Sequence, residues 1–197
     1  IFINSALDNI EYESLIETNG YECGRNAAHT AKQMMNNQGE VVVEMWYDIK
    51  ISSIEQRGLG FVDEIENNSN VTVHKMDVHS NPSEKEVARS LEAVRKKYPN
   101  VEYLFTLNGI WGKTLGAYIQ KHNLKYKVIC IDFDTEIAEL IKTGSIKAAI
   151  SQRNFSWGTM ALELLDDAFQ GKQVIKYTDT GTYEVNANNI SIYEKRV

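Results

Sequence analysis

The chain has only two prolines and two cysteines among its 197 residues, and each scarcity excludes something. Without a proline-rich stretch there is no stiff linker to divide it. Cys23 and Cys130 stand far apart, one in an expected helix and one in an apolar strand. Two such cysteines make no disulfide framework and read as free buried thiols. No apolar run nears the length that crosses a bilayer, and no signal-peptide pattern opens the sequence, as expected of a cytoplasmic or already processed chain. Positive charge is also short. The formal net charge is −6, which argues against a nucleic-acid surface. The one basic cluster, Arg95-Lys96-Lys97, falls at an expected helix end, where cations complement the macrodipole. Four histidines, His29, His74, His79 and His122, show no metal-ligand spacing. No serine sits in a nucleophile elbow, so catalysis and a bound cofactor have no support.

What remains is ample for a core, with 43% hydrophobic and 24% charged residues. Periodicity predicts helices over 21–35, 52–66, 84–98, 111–122, 135–142 and 156–170. Ser53 with Gln56, and Ser83 with Glu86, have capping-box spacing. Apolar runs at 40–46, 71–76, 103–107, 128–131 and 146–151 read as strands, with Val41-Val42-Val43 typical of a strand covered on both faces. Residues 4–17 read as a polar stretch, and 174–192 as an extended tail turning at Asp179-Thr180-Gly181. Strands alternating with helices predict an α/β fold, a doubly wound (Rossmann-like) parallel sheet.

Such a sheet binds ligands outside the carboxyl ends of its strands. The residues after the strands are Trp46-Tyr47-Asp48, Met76-Asp77, Asn108, Asp132-Phe133-Asp134 and Gln152. Arg57 is the least expected residue near them. It lies on the apolar side of its helix, close to the N-terminus, where a cation is disfavoured by up to about 1 kcal/mol. A half-buried guanidinium seeks a planar acceptor. Arg57, Asn108, Asp134 and Gln152 together mix donors and acceptors, as a polyol requires. Trp46, Tyr47 and Trp111 are candidates to cover a sugar's apolar face, Trp111 reading rather as core. Gly112-Lys113-Thr114 suggests a phosphate loop, but Leu107 stands where that loop needs glycine.

The order of motifs resembles the type I periplasmic binding proteins, in particular the ribose- and galactose-type sugar binders. The resemblance rests on Asn19-Gly-Tyr-Glu-Cys-Gly-Arg25, Gln56-Arg57-Gly58-Leu59-Gly60-Phe61, Phe105-Thr106-Leu107-Asn108, Val128 to Asp134, Leu140 to Gly144 and Ala148 to Gln152. It implies ligand contacts at Arg57, Asn108, Asp134 and Gln152, with Asn4 and Ser5 at a first hinge and His79 near a stacking position. It also implies a lobe of this fold with remnants of a second. Residues 1–16 would be the last strand of an N-terminal lobe and hinge, and 17–151 the ligand-binding lobe. Residues 152–172 would be a crossover with an N-lobe-type helix, and 173–197 a return segment and tail. The first lobe itself would be missing. The helix at 156–170, with Trp157, Ala161, Leu164, Leu165 and Ala168 inward, would then dock elsewhere or join a dimer.

The function so implied is binding of a small polar solute, a sugar first, in an interlobe cleft. The chain would be the solute-binding component of an ABC uptake system, extracytoplasmic, with a membrane permease as partner. The alternatives are the outer sensing domain of a signalling receptor and the inducer-binding half of a lac-repressor-type regulator, the last being cytoplasmic.

Overall fold

The computed structural model describes residues 1–7 and 9–193, so the end of the expected tail, 194–197, lies outside it. In chain order, β1 (Phe2–Ile3) and β2 (Leu15–Glu17) precede α1 (Gly20–Met34), β3 (Gln38–Trp46), α2 (Ser52–Asn68), β4 (Asn70–Val78) and α3 (Glu84–Lys97). Next come β5 (Tyr103–Thr106), α4 (Gly109–Lys121), β6 (Lys127–Ile131), α5 (Thr135–Thr143) and β7 (Ile146–Gln152). A 3-10 turn (Asn154–Ser156) leads into α6 (Trp157–Phe169), β8 (Tyr177–Asp179), β9 (Thr182–Asn186) and α7 (Ile190–Tyr193). Two compact units emerge. The larger holds residues 20–151 and the chain from Glu184 on; the smaller holds 1–19 and 152–183.

The larger unit is built on a sheet of order β4-β3-β5-β6-β7-β9, in which β4 through β7 pair parallel. Val41, Val42 and Val43 are fully buried, as a strand with helices on both faces must be. The chain runs outward from β3 to β4, then returns past β3 to β5 and proceeds to β6 and β7. The strand order therefore reverses between β3 and β5. α1 and α2 pack together on one face, and α3, α4 and α5 form the other layer. Under α2, the rings of Phe61 and Phe105 stack at 4.2 Å.

Glycine sets how closely α1 and α2 approach. A Cβ on Gly24 would lie 2.0 Å from the Arg57 carbonyl oxygen, and one on Gly60 would lie 2.0 Å from that of Tyr21. Two helix backbones thus touch directly, and the contact fixes the position of residue 57. The seam is closed by Glu64, almost fully buried, which pairs with Arg25 at 3.2 Å and Lys32 at 2.5 Å. Burial pushes the Glu64 carboxyl up, but these cations outweigh it and hold it below its ordinary value.

Three expectations change. Residues 15–17 are a strand, because Leu15 and Ile16 are buried between β1 and β8. The Ser53–Gln56 capping box does not form: α2 begins at Ser52 behind an extended Ile51, which places Ser53 already inside the helix. At Ser83 the hydroxyl does accept from the Glu86 N–H, at 3.2 Å. The tail carries a short helix, α7, anchored by buried Ile190.

In the smaller unit, β1, β2 and β8 form a parallel three-stranded sheet on which α6 rests. Of the five residues expected to point inward, only Ala161 is buried, and Leu165 and Ala168 are exposed. Three short strands offer too little surface for the whole apolar face. Trp157 is held by its indole N–H, which donates to the Thr180 hydroxyl at 2.9 Å. Leu162 and Phe169 are 69% and 88% exposed.

Candidate functional site

The carboxyl ends of β3, β4, β5 and β6 lie along one edge of the larger unit, and the order reversal falls between β3 and β5. That switch point is where an open α/β sheet forms a crevice. Arg57 stands there. It is only 6% exposed, and its Nη1 donates to the Leu107 carbonyl at 2.8 Å, one residue past β5. Its Nε–H is buried and has no partner among the described residues. An unmade hydrogen bond at a buried donor costs about 1–3 kcal/mol, more for a charged group.

Asn108 follows Leu107 and caps α4, its Oδ1 accepting from the Trp111 N–H at 3.0 Å. The short β5–α4 connection leaves no room for a phosphate loop. A Cβ on Gly112 would meet that of Cys130 at 2.6 Å, so the Gly112-Lys113-Thr114 run is a packing feature of α4. Trp111 is fully buried, and its indole N–H donates to the His79 carbonyl at 2.9 Å, tying the loop after β4 to α4. The His79 ring accepts from the Asn81 N–H through Nδ1, which leaves the proton on Nε2, 3.4 Å from Asp48. Tyr47 meets His79 edge-on at 6.0 Å. Trp46, at the end of β3, is half-buried against the core.

The two aspartates after β6 lie beyond the strand's end. The strand stops at Ile131, and Asp132 takes a left-handed conformation with φ 73°, which aspartate tolerates better than most residues. Asp132 Oδ2 then accepts from the Gly109 N–H at 3.2 Å. Asp134 caps α5 by accepting from the Ile137 N–H at 2.9 Å, and its other oxygen pairs with Lys113 at 2.9 Å. Hydrogen bonding to Asp134 holds the Lys113 ammonium above its ordinary pKa, against partial burial. Partial desolvation pushes the Asp48 carboxyl up, but the Ser80 hydroxyl and N–H, at 2.8 and 2.7 Å, outweigh it, so its pKa is lowered.

Five expected residues, Arg57, Asn108, Asp134, Trp46 and His79, thus belong to this edge of the larger unit. Asn4, Ser5 and Gln152 belong to the smaller unit. Asn4 is exposed and left-handed, with φ 74°, and its N–H donates to the Ile16 carbonyl at 2.8 Å. Ser5 is exposed, and Gln152 is half-buried at the end of β7. Lys113 was not foreseen as a rim residue. Its only signal was its place in the first turns of the helix that Asn108 opens. Cavities lie elsewhere: one of about 450 Å³ lined by Pro99, Val101, Leu124 and Tyr126, one of about 320 Å³ at the amino edge of the sheet, and one of about 250 Å³ between β4 and α3. None of them is lined by Arg57, Asn108, Asp134, Trp46 or His79. Among the described residues no cluster of three His, Cys, Asp or Glu is arranged to hold a metal, and no helix is long and apolar enough to cross a membrane.

A family model described as a periplasmic binding protein domain matches residues 1–173. The chain belongs to this family. The resemblance carried by the motifs at 56–61 and 128–134 is borne out, as is the α/β fold with its parallel sheet. This periplasmic binding protein chain is similar to a sugar ABC transporter sugar-binding protein from Bacillus halodurans, at 21% identity and TM-score 0.87, over 97% of this chain and 70% of that one. It is similar also to a carbohydrate transporter solute-binding protein from Agrobacterium radiobacter in complex with D-arabinose, at 25% identity and TM-score 0.81, over 96% and 66%. A third is an ABC transporter solute-binding protein from Agrobacterium vitis bound with alpha-D-tagatopyranose, at 22% identity and TM-score 0.82, over 94% and 62%. The chain spans 62% to 70% of the length of these three. No curated protein matches it.

Proposed function

We propose that this chain binds a small polar solute, a sugar first, as the solute-binding component of an ABC uptake system. It works on the outer side of the membrane and delivers its solute to a permease. Residues 17–151 form the binding lobe in this reading, and 152–172 the crossover. The observation that carries it is the buried Arg57 guanidinium at the switch point, one donor spent on the Leu107 carbonyl and another left unmet. A structural arginine would have its donors answered within the protein. A solute oxygen at the rim supplies the missing acceptor, with Asn108 and Asp134 beside it and the aromatic side chains at 46, 47 and 79 flanking. The family and the sugar-bound structures of the same fold support this reading.

Isothermal titration of the full chain with a panel of pentoses and hexoses is the test. One or more sugars should bind, and Arg57→Ala should weaken that binding by about 10- to 150-fold, the worth of a charged hydrogen bond. Because Arg57 is buried, Arg57→Lys serves as a second variant. It keeps the charge but loses the fork, and binding should fall while the melting curve stays close to that of the parent. Binding unaltered in both variants would place the site elsewhere.

A further inference from the structure

β4 ends its sheet and pairs with β3 alone. The Tyr47 N–H donates to the Val78 carbonyl at 3.2 Å, so Val78 turns its peptide groups toward β3. Along a strand, the N–H and C=O of one residue point to one side and those of the next to the other. Met76 therefore faces β3 as well, while Lys75 and Asp77 carry their N–H and C=O on the outer edge. Such an edge is a template for another strand, and proteins commonly blunt it with proline or a bulge. β4 has neither: its nine residues pair with β3 in unbroken register.

The cavity of about 250 Å³ between β4 and α3 runs beside this edge. Lys75, Met76 and Asp77 all line it, although successive side chains point to opposite faces, so it opens at the side of the strand. Arg89, Ser90 and Lys97 line it from α3. Its charges are mostly positive. Arg89 is spent on Glu86, to which it donates at 3.1 and 2.5 Å. Lys75 and Lys97 are exposed and enter no ion pair among the described residues, and Asp77 is the single lining carboxylate. Glu44, bonded to Ser90, keeps its proton up to about pH 8 and adds no charge at neutrality.

A strand edge beside a helix, with a pocket between them, suits the addition of an extended peptide to a sheet. The edge supplies main-chain hydrogen bonds, and the pocket takes alternate side chains. We infer that the β4 edge receives an extended segment of a partner protein, paired through the peptide groups of Lys75 and Asp77, with an acidic side chain set between Lys75 and Lys97. A basic segment would meet the surplus of cations and is disfavoured. None of these residues is in the candidate solute site, so the inference stands apart from the sugar reading.

The probe is a labelled, end-capped peptide of about six residues that alternates valine with glutamate, titrated into the full chain by fluorescence anisotropy. Its counterparts carry glutamine or lysine in place of glutamate. The acidic peptide should bind about 5-fold tighter than the glutamine one, the worth of two half-exposed ion pairs, and the lysine one more weakly still. Lys75→Gln with Lys97→Gln should erase that preference. Asp77→Pro separates pairing from charge, because it removes an outward N–H and a repelling carboxylate without cutting a bond to β3. Strand pairing predicts weaker binding in this variant, whereas charge attraction alone predicts tighter binding. Peptides N-methylated on one or the other set of alternate residues give the same reading on the unaltered chain: the set whose donors face β4 should fail. Binding that tolerates both N-methylated sets overturns strand pairing, and equal affinity of the three peptides overturns the acidic preference. No binding of the acidic peptide at millimolar concentration overturns both. A chain that sediments as a dimer, and as a monomer once Asp77→Pro is made, gives the edge to a second copy and overturns the partner segment.

Discussion

Gly60→Ala should destabilise the larger unit by about 3 kcal/mol or more, and Gly24→Ala similarly, although alanine is the better helix former by about 1 kcal/mol. In each case the new methyl would sit 2.0 Å from a carbonyl oxygen of the facing helix. Nothing soft lies in the way to yield, so α1 and α2 must separate, and the Phe61–Phe105 stack and the Glu64 pairs separate with them. Gly24→Ala should also move residue 57, since the oxygen it strikes is Arg57's own, so solute binding falls with stability. Gly158→Ala is the control. Gly158 lies in α6 with no atom within 4 Å of an added Cβ, and this change should be neutral or stabilising by up to about 1 kcal/mol. Urea unfolding followed by tryptophan fluorescence would separate the three variants. Equal midpoints for Gly60→Ala and Gly158→Ala would show that the seam is not as tight as described.

Stability should fall as pH rises from about 5 to 9, and Glu44→Gln should remove most of that fall. Glu44 lies on β3, 1% exposed, with one oxygen accepting from the Ser90 hydroxyl at 3.2 Å and the other unpartnered among the described residues. Burial is the main cause that pushes its pKa up to about 8; Ser90 opposes it weakly, and nearby Glu86 adds to it. The native state therefore keeps a proton that the unfolded chain releases near pH 4.5. The stabilisation is full below that value and is lost as pH climbs through the folded pKa. The difference amounts to on the order of 3–5 kcal/mol above pH 8. At pH 9, Glu44→Gln should melt roughly 6–12 °C above the parent, and at pH 4.5 the two should nearly coincide. Melting curves that stay parallel across this range would mean that Glu44 is ionised in place or reaches water.

The regular elements of the larger unit were legible because alternation and helical spacing are strong there. Val41-Val42-Val43 could belong only to a strand covered on both faces, and the stripe Val87, Leu91 and Val94 only to one helix face. Ends were less legible. A capping box at Ser53 was a sound local pattern, but Ile51 already occupies the extended position before the helix, and the first turn starts one residue too early for the box. The strand at 15–17 is too short for alternation to show and exists through its neighbours. Arg57 stood out because charge on an apolar helix face is anomalous. Asp132 did not, because only coordinates reveal a left-handed residue that ends a strand. The meaning of Gly24 and Gly60, contact between backbones, needs the partner helix to be seen.

The most direct measurement is the ¹H–¹⁵N resonance of the Arg57 side-chain Nε–H, followed as solute is added to the full chain. The account predicts that a bound sugar shifts this signal and slows its exchange with water, together with the side-chain amide of Asn108. Saturation by a solute that moves signals elsewhere while leaving the Arg57 and Asn108 resonances in place would contradict it.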